Sequence, residues 1–383
     1  MLTHEYLKKE VAQRIKRIQA MMKGKDLGSL IIVGAGAPDM IGALRYVTNA
    51  HLWSGRAFAV LGQADPEPWL EIWSSYQAVW SRNETTTSPD RVECPEKVIE
   101  RTSQLAKGYA ENSKRIGLVN VDRLLAVAEY RTMTKALEGF TLDEVTDEFN
   151  HIRQIKSPFE IEAMLQNGFI LDASMDVFRQ NARVGRRYWD VCAEVEGFVK
   201  AQGAFWGRTK LALGLIPETV PPPRDLVMQE DHIVNFEIVY ESPWGYWLEM
   251  TALLSFRELP DDACRLLQAY LQAVDNSAAL AKPGNTLDMI SKANDQTFLD
   301  LGYVVAGKHT PDCHTIGLDG YDGPSLWAPD TVLEANMVLS FHPGTVMEGN
   351  LGLLVSDNFL VTPEGGVRLS PHNAHRYHML LDK

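Results

Sequence analysis

Four ionisable side chains sit inside or at the ends of apolar runs of this chain, and any fold it adopts must find partners for them. Glu237 interrupts Val234-Asn235-Phe236-Glu237-Ile238-Val239, and Glu249 closes Gly245-Tyr246-Trp247-Leu248-Glu249. His314 lies in Cys313-His314-Thr315-Ile316-Gly317-Leu318-Asp319, and His342 in Ser340-Phe341-His342-Pro343-Gly344. A bare charge in an apolar interior is expensive, so a carboxylate among such residues is either paired or on a solvated strand face.

The 383 residues, 45% hydrophobic and 23% charged, have the composition of a globular chain with room for two domains. A formal net charge of -13 argues against a nucleic-acid or anionic-membrane partner, because both need a basic surface. The four cysteines (Cys94, Cys192, Cys264, Cys313) have no CxxC spacing and read as reduced thiols. No apolar run is long enough to cross a bilayer. At the N-terminus Val11, Ile15, Ile18 and Met22 recur at helical spacing among basic residues, as in an amphipathic helix and not a secretory signal. The expectation is a cytoplasmic protein.

Strands are expected at 30–33, 57–61, 69–72 and 116–119, with helices at 95–105 and 123–137. This alternation reads as a small α/β domain over 1–150. The loop Gly34-Ala35-Gly36-Ala37-Pro38 lacks the third glycine of a dinucleotide-binding turn and reads as a plain strand exit. A second domain, 151–383, opens with Ile152-Arg153-Gln154-Ile155-Lys156-Ser157-Pro158, where Ser157 suits a helix cap and Pro158 the first helical position. It is expected to carry strands near 234–239, 246–256, 338–341 and 352–361, and helices near 262–280 and 289–301.

These motifs resemble those of the creatinase, prolidase and aminopeptidase P family, the pita-bread hydrolases. There a Gly-His-Gly-Ile-Gly-Leu run supplies an active-site histidine and a Thr-Ile-Glu-Pro-Gly run an active-site glutamate. The segment at Ile152 resembles that family's interdomain linker. The resemblance implies an α/β N-terminal creatinase-like domain, a C-terminal α+β pita-bread catalytic domain, and a homodimer.

Family metallopeptidases hold two metals with two aspartates, one histidine and two glutamates. By resemblance His314 matches the histidine, Glu249 stands for one aspartate, and Glu237 is the nearest match to the other. His342 replaces the first glutamate, and Ser356 the last, with Asp357 beside it. Two outcomes stay open: a metal-free site, as in creatinase, with His314 as the base; or a site rebuilt for one divalent ion (Fe, Zn or Mn) on Glu237, Glu249, His314, His342 and Asp357.

The family's proton-shuttling histidine before the first aspartate is missing, its second histidine is Tyr321, and its arginine after Asp-x-Thr is Ala252. Ordinary peptide hydrolysis is therefore not expected. Tyr321 or His309 could donate a proton, and Asp322, Glu218 or Asp319 could accept one. Arg56, in Trp53-Ser54-Gly55-Arg56, resembles the arginine with which creatinase grips its substrate carboxylate. Trp53, Trp247 and Trp327 offer faces for a cationic group, so a small zwitterionic, carboxylate-bearing substrate is expected. The expected reaction is hydrolysis of a non-peptide C–N bond. Alternatives are a lyase of the dimethylsulfoniopropionate-cleaving kind with Asp322 as base, an Xaa-Pro dipeptidase, and a non-catalytic binding module.

Overall fold

The computed structural model describes residues 2–215, 220–303, 305–307, 312–323, 328–343, 346–347, 352–370 and 378–381. The chain forms two compact units: Met1–Arg153 with Leu318–Pro324, and Gln154–Gly317 with Ser325–Lys383.

The first unit contains α1 (His4–Gly24), β1 (Ser29–Ala35), α2 (Gly42–Thr48), β2 (Arg56–Gly62), β3 (Trp69–Ile72), α3 (Ser75–Glu84) and β4 (Val92–Glu93). It continues through α4 (Val98–Tyr109), β5 (Arg115–Val119), α5 (Val121–Leu124), α6 (Val127–Ala136), β6 (Thr141–Glu144) and α7 (Thr146–Gln154), which ends at the boundary. One mixed sheet runs β4-β3-β2-β1-β5-β6, with β1 antiparallel to β2 and parallel to β5. Its central strand is apolar nearly throughout because both faces are covered. Ile31, Val33, Phe58, Val60, Ile116 and Leu118 pack with Val98, Ile99, Ala106 and Met133. The helix expected over 123–137 is broken, since Leu125 and Ala126 adopt extended backbone between α5 and α6.

A short stretch from late in the chain also belongs to this unit. Asp319 Oδ1 accepts the Gly42 N–H (2.8 Å) at the start of α2, and Asp39 Oδ1 accepts the Gly320 N–H (2.6 Å). Buried Arg153 forms ion pairs with Asp319 (2.9 Å) and Asp322. A Cβ at position 42 would lie 2.2 Å from Asp319 Oδ2, so the carboxylate can reach the helix only over glycine.

The second unit contains α8 (Pro158–Asn181), α9 (Tyr188–Ala201), β7 (Gly207–Leu213), β8 (Ile233–Glu241), β9 (Trp247–Ser255), α10 (Asp261–Leu280) and α11 (Leu287–Asp300). Then follow β10 (Val305–Gly307), β11 (Cys313–Thr315), β12 (Val338–Phe341), β13 (Val346–Met347), β14 (Asp357–Thr362), β15 (Gly365–Arg368) and β16 (His378–Leu380). Ser157 caps α8 by a reciprocal pair of bonds: its Oγ accepts from Glu160 N–H (3.3 Å), and Glu160 Oε2 accepts from Ser157 N–H (2.9 Å). One sheet runs β16-β9-β8-β7, another β11-β12-β14-β15, and β10 pairs with β13. Leu266, Tyr270 and Val274 of α10, with Ile290 and Phe298 of α11, pack on Leu339, Phe341, Phe359 and Val361. No helix among the described residues is long and apolar enough to cross a membrane.

Candidate metal centre

Glu249 on β9, His314 on β11 and His342, the residue that follows β12, converge in the second unit. Antiparallel pairing of β11 with β12 sets His314 opposite Ser340, and His342 donates its backbone N–H to Asp312 O (2.6 Å). One ligand-capable atom from each of the three lies within 4.8 Å of the others. His342 Nε2 is 2.9 Å from Glu249 Oε2 and 3.0 Å from His314 Nε2, and His314 Nε2 is 3.8 Å from Glu249 Oε2. All three residues are buried.

The hydrogen bonds behind these groups fix their protons. His314 Nδ1 lies 3.1 Å from the Thr315 carbonyl, which can only accept, so Nδ1 carries the hydrogen and Nε2 is left with its lone pair. Ser356 Oγ lies 2.8 Å from Glu237 Oε1 and 3.1 Å from His342 Nδ1. With the carboxylate ionised, the serine donates to it and accepts from His342 Nδ1–H. Two Nε2 lone pairs facing each other at 3.0 Å repel, so a proton or a cation belongs beside them.

The charges agree with that geometry. Burial pushes His314 down to about 4, helped by His342 and only partly opposed by Glu249. Burial also pulls His342 down, but Glu249 and Glu237 outweigh it and leave its pKa raised. Burial would raise the Glu249 carboxyl, yet the two imidazoles hold it down at about 2. Ser340 Oγ donates to Glu249 Oε2 (3.2 Å), and Asn358 Nδ2 donates to the Glu249 backbone carbonyl.

Two nitrogens and one carboxylate oxygen are the three protein ligands of many catalytic zinc sites. Donors bound ~2.1 Å from a common tetrahedral ion stand ~3.4 Å apart. The observed separations of 2.9, 3.0 and 3.8 Å fit one such ion. Glu237 forms an ion pair with Lys210, its register partner on β7, besides accepting from Ser356. Glu237 thus stands outside the three-residue group.

Asp357 stands outside the three-residue group: its Oδ2 accepts from Arg368 Nε (2.7 Å), while its neighbour Ser356 bonds Glu237 and His342, and Asn358 bonds the Glu249 carbonyl. Asp322 is tied to Arg153 in the first unit and Tyr321 is exposed there, so neither joins the three-residue group. Arg56, expected to grip a substrate carboxylate, has both Nη atoms on Glu129 and donates to Leu124 O (3.0 Å). Trp53 is half exposed and stacked on Tyr76 at 5.4 Å. Trp247 is buried at the start of β9, its backbone N–H donating to Gly317 O (2.7 Å). His309 and Trp327 lie outside the described residues.

Lys210, Ser340 and Asn358 were not anticipated. The first had a signal: Arg208, Lys210 and Ala212 alternate with Thr209, Leu211 and Leu213, the period of a strand.

The family model for metallopeptidase family M24 matches residues 162–363, and that for the creatinase/prolidase N-terminal domain matches residues 14–155. The chain belongs to metallopeptidase family M24, a family of hydrolases, and has its N-terminal creatinase-like and C-terminal pita-bread domains. It is 24% identical over 274 residues to an uncharacterized peptidase of Staphylococcus aureus (strain USA300), covering 67% of this chain and 76% of that protein. An uncharacterized peptidase of Staphylococcus haemolyticus matches to the same extent. Among solved structures, the prolidase from Pyrococcus horikoshii OT3 superposes with a TM-score of 0.77 at 19% identity, over 94% of this chain and 98% of that one. Dipeptidase PepE from Mycobacterium ulcerans gives 0.77 at 19% identity, over 98% and 99%. At such identities the likeness shows the fold.

Proposed function

We propose that this chain hydrolyses a non-peptide C–N bond of a small carboxylate-bearing metabolite at a single-ion centre formed by Glu249, His314 and His342. The observation that carries this reading is the convergence of those three donors, with Glu237 engaged by Lys210. A divalent ion held there supplies Lewis acidity and a water acidic enough to ionise near neutral pH. Thr315 O and Ser356 orient the two imidazoles, Ser340 steadies the carboxylate, and burial keeps bulk water from the donors. A metal-free route with His314 as base is disfavoured, because a group near 4 is a poor base at neutral pH. The lyase reading loses its nominated base, since Asp322 is paired with Arg153.

A second reading, an Xaa-Pro dipeptidase, is favoured by the names of the structural neighbours, among them an Xaa-Pro dipeptidase from Bacillus anthracis. The deciding experiment incubates metal-loaded protein with Xaa-Pro dipeptides and with creatine-like, ectoine-like and sulfonium carboxylates, followed by mass spectrometry. Water addition to the non-peptide amides or amidines, abolished by His314→Ala, is the expected result. Turnover confined to Xaa-Pro dipeptides establishes the second reading, elimination without water uptake restores the lyase, and no turnover at all removes the enzymatic reading. We further propose a homodimer, which predicts a light-scattering mass about twice 42.9 kDa; a monomer would count against it.

A further inference from the structure

We propose that Lys210 is a built-in cation whose ammonium neutralises Glu237 and so limits the centre to one divalent ion. Lys210 on β7 stands directly across from Glu237 on β8, and the two form an ion pair whose side chains are 24% and 2% exposed. The other Glu237 oxygen, Oε1, accepts from Ser356, whose hydroxyl also receives His342 Nδ1–H. Lysine, carboxylate, serine and imidazole therefore form one chain that ends at the three-donor group. Among the described residues, the hydrogen-bonded link from Glu237 to that group runs through the serine.

Charge accounting gives the consequence. Lys210 and Glu237 cancel, so the donor group carries the single negative charge of Glu249 when both imidazoles are neutral. One dication held there would leave a single net positive charge. A second dication on Glu237 would have to displace the ammonium or lie against it, and like charges at such range repel strongly. Remove the ammonium, and a nearly inaccessible carboxylate is left unpaired. That state is disfavoured unless a proton or another cation takes the vacated place.

The inference rests on the single-ion reading above, and its test uses no substrate, so a failed substrate panel and a failed ion count are separate results. Full-length protein is stripped with chelator, equilibrated by dialysis against Mn²⁺ or Zn²⁺, and assayed for bound ion by elemental analysis, with thermal melting in parallel. Wild type should saturate at one equivalent. Lys210→Met should melt below wild type in chelator and take up a second equivalent, its melting temperature then rising by more than that of wild type. Lys210→Met/Glu237→Gln should return to one equivalent and near-wild-type melting. Wild type loading two equivalents or none overturns the proposal, as does a Lys210→Met protein that stays at one equivalent with unchanged melting. Should Lys210→Met fail to fold, a folded double variant with one equivalent supports the pairing, and an unfolded double variant overturns it.

Discussion

Ser356 shows how much one hydroxyl can decide. Between His342 Nδ1 and Glu237 Oε1 it sets the imidazole's orientation while contributing no ligand of its own. Loss of such a partner typically weakens ion binding about 10–100-fold. Ser356→Ala should show a loss of that size in competition with a chromophoric chelator, with unchanged circular dichroism, and Ser356→Thr should recover most of it. Far from this centre, Glu71 presents a different electrostatic problem. Burial pushes its carboxyl up to about 7, against the lowering effects of the Thr102 hydroxyl and Arg101. Its folded pKa lies above the ordinary 4.5, so folding takes up a proton and stability falls as pH rises from about 4.5 through about 7. The loss by pH 8 is on the order of 3 kcal/mol. Glu71→Gln should flatten that decline, giving a higher melting temperature than wild type at pH 8 and little difference at pH 5.

At residue scale the sequence nominates chemically apt side chains, while the direction each one faces depends on strand pairing. The motifs around His314, His342 and Glu249 single them out, and the structure brings these three side chains together. The sequence also nominated Asp357, whose neighbour Ser356 turned out to face the centre, because the facing of β14 follows from its pairing with β12 and not from local pattern. Arg56 and Asp322 were chemically apt, but Glu129 and Arg153 had already taken them, and such partners lie too far along the chain to be inferred from it.

At the level of elements, the start of α8 is the most readable feature, because serine, proline and glutamate at positions 157, 158 and 160 form both halves of a capping exchange. Ser157→Ala should cost about 1 kcal/mol and lower the melting temperature by a few degrees. The strand expected from 352 begins only at Asp357, and two of the earlier backbone donors go to side chains: Leu353 N–H to Tyr270 Oη (3.1 Å) and Ser356 N–H to Thr251 Oγ1 (2.9 Å). Apolar patterning sees the burial of these residues and cannot see where their amides point. The same limit explains α5 and α6, where two extended residues divide a helical pattern, and β7, whose brief alternation was overlooked although it carries Lys210.

On the scale of the whole molecule, both domains were readable because each follows its own regular rhythm, strands and helices in the first and antiparallel ladders with long helices in the second. The assignment of Leu318–Pro324 to the first unit had no such rhythm, since it depends on Asp319 meeting the glycine-opened end of α2. In the second unit, Glu249 belongs to one sheet and His314 to another, and Asn358 stitches them by holding the Glu249 carbonyl. The binding centre is accordingly a seam that exists only while both ladders are closed, so an arriving ion must protect both. Amide deuterium uptake should slow together along β8–β9 and β12–β14 once Mn²⁺ or Zn²⁺ is added, and slowing on one ladder alone would mean that the two walls open independently.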